Sequence, residues 1–278
     1  MLKLLACLFM LLDHIGFYFY DVLPPFPAML LRTVGRLAFP IFAWYIARGF
    51  GRTRSLFKYF LRMGAFAVVS EVIIRFANNL AGYHLPGTNV LVTFSLAIVM
   101  LAGYQMARYS WRDLVAGLRP VAAADGTLPV KPVSRFNVRV NIGGIELDPR
   151  IGVPLGIVMI LLSIIAALWL KPDYGVYGLL TVLFFHLAID RQDETDWERR
   201  IWLLLVPLNI VYMIYRIITD PGITAWAVVQ LFSLLSIPLC LKHIKEKRPP
   251  AWARYGFYVF YPIHILLLVL LHRLMTGV

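Results

Sequence analysis

Apolar residues along this chain fall into nine runs of spanning or near-spanning length, at about 2–22, 28–50, 57–78, 89–108, 151–170, 174–190, 200–218, 224–242 and 254–275. A helix of roughly 20 apolar residues crosses the hydrocarbon core of a bilayer, so each run predicts a transmembrane helix. The expected fold is an all-α, polytopic membrane helical bundle of about nine transmembrane helices, one domain over 1–278. One connection departs from the pattern. Residues 109–150 form a long insert in which VSRFNVRVNIGGIELDP alternates apolar and polar positions around Gly143-Gly144, the signature of a β-hairpin with a two-residue turn. A lone hairpin is only marginally stable, so it is expected to pack on the membrane domain. No internal repeat is visible, which weakens the case for a transporter built from duplicated halves.

Composition agrees with the pattern: 60% of the residues are hydrophobic and only 15% are charged. A net charge of +12 would suit a nucleic-acid partner if it were spread over one surface. It is instead concentrated at Lys3 and in alternate connections, at Arg48 to Lys58, Arg108 to Arg150, Arg191 to Arg200 and Lys242 to Arg254, whereas Pro24-Pro25 and Gly82 to Pro86 carry no Lys or Arg. That is the positive-inside distribution, and it needs no nucleic acid, only membrane lipids. It predicts a cytoplasmic N-terminus, a cytoplasmic 109–150 insert and an external C-terminus. The two cysteines, Cys7 and Cys240, lie in separate apolar runs, so neither a disulfide framework nor a metal cluster is expected.

The chemistry is expected where ionisable residues interrupt apolar runs. A charge at the centre of a membrane helix costs about 2.5 to 3.5 kcal/mol, so Asp13-His14 in the first run is a candidate site. Lys3, Cys7, Met10 and His14 share a helix face, with Lys3 about 16 Å below the imidazole at 1.5 Å per residue. In the second run Arg32 and Arg36 also share a face. Over residues 29–47 they cost about 5 to 7 kcal/mol, against about 2.4 to 4.8 returned by eight Leu, Ile, Val and Phe, so they require partners inside the fold. Pro40 leaves the carbonyl of Arg36 without its helical partner and is expected to kink the helix there. Further on, Lys58 pairs in spacing with Arg62 and Glu71 with Arg75, and the second spacing suggests an intrahelical ion pair. Asn89 and Thr93 open the fourth run as interhelical hydrogen-bonding groups. His264 follows Pro262 in the last run and requires a polar partner. His186, Asp190, Asn209, Tyr212 and Arg216 are isolated and read as structural.

The runs LKLLACLFMLLDHIG, LRTVGRLAFPIFAWYIARGF, KYFLR and FYVFYPIHILLL together resemble the TraX family, membrane proteins associated with acetylation of the N-terminus of conjugative pilin. More distantly, the spacing from Lys3 to His14 is similar to the Arg-x10-His motif of the transmembrane acyltransferase superfamily. The resemblance implies a bacterial inner-membrane acyltransferase that uses acetyl-CoA or another acyl-CoA, with a protein N-terminus or a glycan or lipid of the envelope as acceptor. Lys3, Arg54, Lys58 and Arg62 would attract the phosphates of coenzyme A. His14 would act as general base or transient acyl carrier, with Asp13 orienting a partner and Arg36 stabilising the oxyanion. Arg32, Glu71, Asn89, Thr93 and His264 would support that site. No metal is expected. Two other functions stay open on the residues alone, a proton-coupled transporter or lipid flippase and a non-catalytic membrane assembly factor whose buried charges fix helix packing.

Overall fold

The structure is a computed structural model that describes residues 2–83, 86–118, 137–138, 145–146, 148–189, 196–220, 222, 224–243 and 251–277. Each apolar run becomes helix. The first is α1 (Leu2–Tyr18), and the second is broken into α2 (Pro25–Gly35) and α3 (Ala38–Arg52). There follow α4 (Leu56–Leu80), α5 (Val90–Leu118), α6 (Pro149–Leu170), α7 (Gly175–Ile189) and α8 (Trp197–Thr219). The eighth run is α9 (Thr224–Val229), a 3-10 stretch (Gln230–Leu235) and α10 (Ser236–Lys242), and the chain closes with α11 (Ala251–Thr276).

Among the described residues five stretches are long and apolar enough to cross a membrane: Pro25–Arg52, Val90–Val115, Pro149–Leu170, Trp197–Thr219 and Tyr255–Thr276. Gly175–Ile189 and Ala227–Lys242 are shorter apolar helices. The fold is thus an all-α membrane bundle. Its outer surface carries side chains suited to lipid, as on α6, where Trp169 is 82% exposed and Leu162, Ile165 and Leu168 are also exposed. Within the 109–150 insert, α5 runs on past 109 to Leu118, and a two-residue antiparallel ladder pairs Asn137 with Glu146 and Val138 with Ile145. The tight turn expected at Gly143-Gly144 lies outside the described residues.

The interior is built around α3. Ile41, Ala43, Trp44 and Ala47 are fully or almost fully buried there, and the helix packs against α1, α5, α7 and α10. Its separation from α2 has a local cause. Pro40 has no N–H to pair with the Arg36 carbonyl, and Gly35 has low helix propensity, so the helical ladder stops at Arg36-Leu37. The kink expected at this point is therefore a break.

Helix α6 is apolar on every side, and what seats it is a small-residue seam with α5. A Cβ on Gly156 would lie 2.7 Å from the Ala107 backbone nitrogen, and one on Gly103 would lie 2.7 Å from the Gly156 carbonyl oxygen. Backbones this close gain dispersion and Cα–H contacts that lipid tails cannot replace. Because the neighbouring atoms are backbone, they cannot rotate away. Gly156→Leu is expected to cost about 1–3 kcal/mol by overpacking, read as a lower melting temperature of the detergent-solubilised protein, whereas Leu162→Ala on the lipid face should leave it nearly unchanged.

Candidate functional site

Asp13 is the anchor of a three-charge cluster between α1 and α2. Its Oδ2 accepts a hydrogen bond from Arg32 Nη1 at 2.8 Å, and its Oδ1 lies 3.5 Å from Arg36 Nη2. Both arginines find here the partner that their insertion energy demands. The helices must approach closely for this to happen, and glycine permits it on each side: a Cβ on Gly35 would collide with the Asp13 side chain, and one on Gly16 would sit 2.9 Å from the Ala28 carbonyl oxygen. Arg36 stands at the C-cap of α2, where the helix breaks, so its guanidinium reaches Asp13 from a point of chain reversal.

Successive helical side chains diverge by about 100°, so His14 cannot share the partners of Asp13. Its Nδ1 lies 2.7 Å from Nε2 of His264 on α11, whose Nδ1 lies 2.7 Å from the Phe260 carbonyl oxygen. The His264 ring is buried and stacks on Phe260 at a centroid separation of 4.7 Å. His14 Nε2 has no hydrogen bond among the described residues and opens on a central chamber of about 320 Å3, which Asp13, Arg32 and Arg36 also line.

The remaining supporting residues form a clamp at the start of α5. Glu71 pairs with Arg75 at 2.7 Å and accepts hydrogen bonds from the backbone N–H and the side-chain amide of Asn89, at 2.9 and 2.8 Å. Asn89 also donates to the Ala67 carbonyl and accepts from Leu91 N–H, so it caps α5 and ties it to α4. Thr93 donates from its hydroxyl to the Asp173 carbonyl. Glu71, Arg75 and Asn89 line the chamber while being engaged with one another.

Two chamber residues carried no sequence signal. Asp173 and Tyr174 lie in the α6–α7 connection, which reads as an ordinary turn. The Asp173 N–H donates to the Thr88 carbonyl at 2.8 Å, holding this connection against the one before α5. Tyr174 adopts φ 66°, in the left-handed region, and stacks on Phe39 at 3.7 Å. The Asp173 carboxylate makes no hydrogen bond or ion pair among the described residues. It is open to the chamber but enclosed by protein behind it. That enclosure, then the Glu71 and Asp13 carboxylates, raises its pKa to about 6, with Arg36 and Arg32 opposing.

Two further cavities flank the chamber. One, of about 210 Å3, lies toward the N-terminus of α1 and shares Met10, Phe42, Val90, Phe94 and Tyr261 with the chamber. Its basic lining is Lys3, Arg48, Arg52 and Arg62. Arg54 and Lys58 are exposed and are not among the lining residues, whereas Arg48 and Arg52, which the sequence presented only as inside-facing charges, are. Among the described residues Arg62 Nε is buried without a hydrogen-bond partner, a donor left over for an acceptor. The other cavity, of about 600 Å3, lies toward the opposite end and shares Phe17, Arg32, Arg36, Tyr212 and Gln230 with the chamber. Tyr20, Asp21, Tyr83 and Arg216 line it away from the chamber. Among the described residues no group of three or more His, Cys, Asp or Glu could hold a metal ion.

Comparison with known proteins places this arrangement in context. The family model described as TraX protein matches residues 1–272. A probable fimbrial assembly protein, FimC of serogroup H1, from Dichelobacter nodosus is 26% identical over 276 residues, covering 96% of this chain and 92% of that protein. No solved structure matches the chain.

The raised pKa of Asp173 makes a signed prediction. A carboxyl group whose pKa is about 6 in the fold and 3.8 when unfolded stabilises fully below about pH 4, and that contribution is lost as pH rises through 6. Asp173→Asn removes the ionisation. The variant is expected to melt higher than the parent at pH 8, by a margin that the solvent exposure of this side chain keeps small, with the gap closing by pH 4, as thermal melts at the two pH values would read.

Proposed function

The chain belongs to the TraX family, and we propose that it is a membrane-embedded acyltransferase that moves an acyl group from acyl-CoA, with acetyl-CoA as the leading donor, to an amine or hydroxyl of an envelope acceptor. The observation that carries this reading is the run of three adjoining cavities, the middle one lined by His14 and one of the flanking two small and basic. The basic cavity, at about 210 Å3, is below the roughly 300 Å3 at which pockets enclose whole small molecules. It suits an extended arm, with the nucleotide and its phosphates left outside near Arg52 and Arg62. In this reading the N-terminal end of α1 faces the cytoplasm of a bacterial inner membrane, and the 600 Å3 cavity admits the acceptor from the other face.

The residues divide the chemistry among them. The acceptor's nitrogen or oxygen attacks the thioester carbonyl while His14 Nε2 takes the proton that it loses. Arg36 turns toward the oxyanion of the tetrahedral intermediate with the donors that Asp13 does not occupy, a contribution of about 3 to 4 kcal/mol where aim is good. Asp13 holds Arg32 and Arg36 in place and takes no proton itself. Collapse of the intermediate breaks the carbon–sulfur bond, and the imidazolium returns its proton to the departing thiolate. Atoms and charge are then restored, with free coenzyme A and an acylated acceptor as products.

The name of the Dichelobacter nodosus relative favours a second reading, a role in fimbrial assembly that needs no transfer chemistry. Labelled acyl-CoA supplied with an envelope extract separates the two. His14→Ala is expected to remain folded and to bind acyl-CoA while losing transfer by about 100-fold or more. Arg62→Glu is expected to raise the KM for acyl-CoA more than it lowers kcat, because ground state and transition state hold the phosphates alike. Undiminished transfer by a folded His14→Ala protein would remove the enzymatic reading. Lost assembly with no acyl-CoA dependence in the parent would favour the second.

A further inference from the structure

We infer that His264 is the positioning residue that fixes His14 as its Nδ1-protonated tautomer, leaving His14 Nε2 as the bare nitrogen that faces the chamber. The inference deepens the acyltransferase reading of this site and names the atom on which that reading depends.

The assignment starts from a group that has no choice. A backbone carbonyl can only accept, so His264 Nδ1, at 2.7 Å from the Phe260 carbonyl oxygen, carries a proton. A neutral imidazole has one ring proton, and His264 Nε2 is therefore a lone pair. That lone pair lies 2.7 Å from His14 Nδ1, which must be the donor between them. The single proton of His14 is then spent on Nδ1. Its Nε2 is an acceptor with no partner among the described residues, open to the chamber that holds Arg36.

The opposite polarity would require His264 to be doubly protonated. An imidazolium there would press on His14, in a bundle interior that already holds Arg32 and Arg36, whose shared carboxylate Asp13 is engaged with both. Among the described residues no carboxylate pairs with either histidine at this site, and a third cation without its own counter-charge in the bundle interior is the costly choice. Neutral His264 is the arrangement that the geometry supports.

The tautomer is not the one histidine prefers on its own, since the free neutral side chain favours the proton on Nε2. A His14 left to itself would present an N–H to the chamber and could not accept a proton there. His264 acts here as the carboxylate acts in a serine-protease triad, fixing tautomer and ring orientation, but with a neutral acceptor. When Nε2 takes up a proton, the Nδ1–H bond to His264 becomes charge-assisted and strengthens, so the pairing favours the protonated state reached during transfer. Stacking on Phe260 holds the His264 ring in the required pose. No signal within one segment could announce the pair, because its members lie 250 residues apart.

Nitrogen-15 spectra of histidine-labelled full-length protein in lipid nanodiscs at pH 8 test the assignment, and they need neither acceptor nor activity. His264 and His243, whose Nδ1 atoms each face a carbonyl oxygen, and His14 are all expected to show a protonated Nδ1 and a bare Nε2, and the one such pair of signals that His14→Gln removes is that of His14. In His264→Leu the His14 signals should revert to the Nε2-protonated form, while His264→Gln, which keeps an acceptor, should preserve the parent pattern. The kcat for acyl transfer should follow the spectra, falling at least about tenfold in His264→Leu, with the KM for acyl-CoA unchanged, and recovering in His264→Gln. A parent spectrum with His14 protonated on Nε2 overturns the inference outright, whether or not the variants fold. So does a His264→Leu protein whose His14 keeps its tautomer. A parent protein that shows the expected tautomer but transfers no acyl group leaves the assignment intact and defeats the acyltransferase reading alone.

Discussion

Charges inside a bilayer-spanning bundle must neutralise one another, and in this protein Asp13 does so for two arginines at once. The consequences spread outward from that cluster. Because Arg32 lies on α2, Arg36 caps it and Asp13 lies on α1, the two helices are drawn together along Gly16 and Gly35, where side chains would keep them apart. Because α2 ends at Gly35, Arg36 is freed from a continuous helical face and can bend back to the same carboxylate. Leaving one partner of such a buried group unpaired typically costs 3–5 kcal/mol, so the first two helices and the break after them stand or fall together.

The cluster also determines what His14 can do. With Asp13 committed to the arginines, the imidazole one residue on faces a different helix, and the last helix of the chain supplies its partner. Helix α11 therefore contributes to the site although the chain between α1 and α11 builds most of the bundle. The route from sequence to chemistry passes through this closure. In the proposed reaction residues 2–18 would supply the proton-accepting nitrogen, residues 25–36 the cations, and residues 251–276 the group that orients the ring.

Legibility in the sequence followed the range of the interaction responsible. Apolar runs declare helices because hydropathy is a local property, and an interruption at Arg36, expected as a kink and found as a break, was visible in Pro40 because a missing N–H acts only four residues away. The Glu71–Arg75 pair was legible for the same reason. The cationic mouth was only half legible. Lys3 and Arg62 line the basic cavity, but Arg54 lies in the α3–α4 connection and Lys58 in the exposed first turn of α4, whereas Arg48 and Arg52 on α3 take lining positions. Composition assigns all of these to one side of the membrane and says nothing about which point inward. The pairing of His14 with His264 depends on how α1 and α11 pack, and Asp173 reaches the chamber only because two connections are stitched together through Thr88.

That last connection shows where the fold gives up stability. Between α7, α8 and the 3-10 stretch a buried polar group is fully matched, where the Asn209 side-chain oxygen accepts from Tyr177 at 2.9 Å and from Ser233 at 2.9 Å. Between α6 and α7 the balance reverses. The non-glycine residues in the left-handed region among those described, Lys171 and Tyr174, are both here, each costing about 1–3 kcal/mol, and between them sits a carboxylate without an ion-pair partner. A strained backbone and an unneutralised acid within four residues would be removed readily by substitution if the connection served only to join two helices. Their position over the chamber, with Tyr174 stacked on Phe39 at the start of α3, ties that cost to the site and not to the span. The paired wall of Asp13, Arg32 and Arg36 keeps the cations in place during any reaction, and the unpaired wall at Asp173 is the one whose electrostatics a bound molecule can still change.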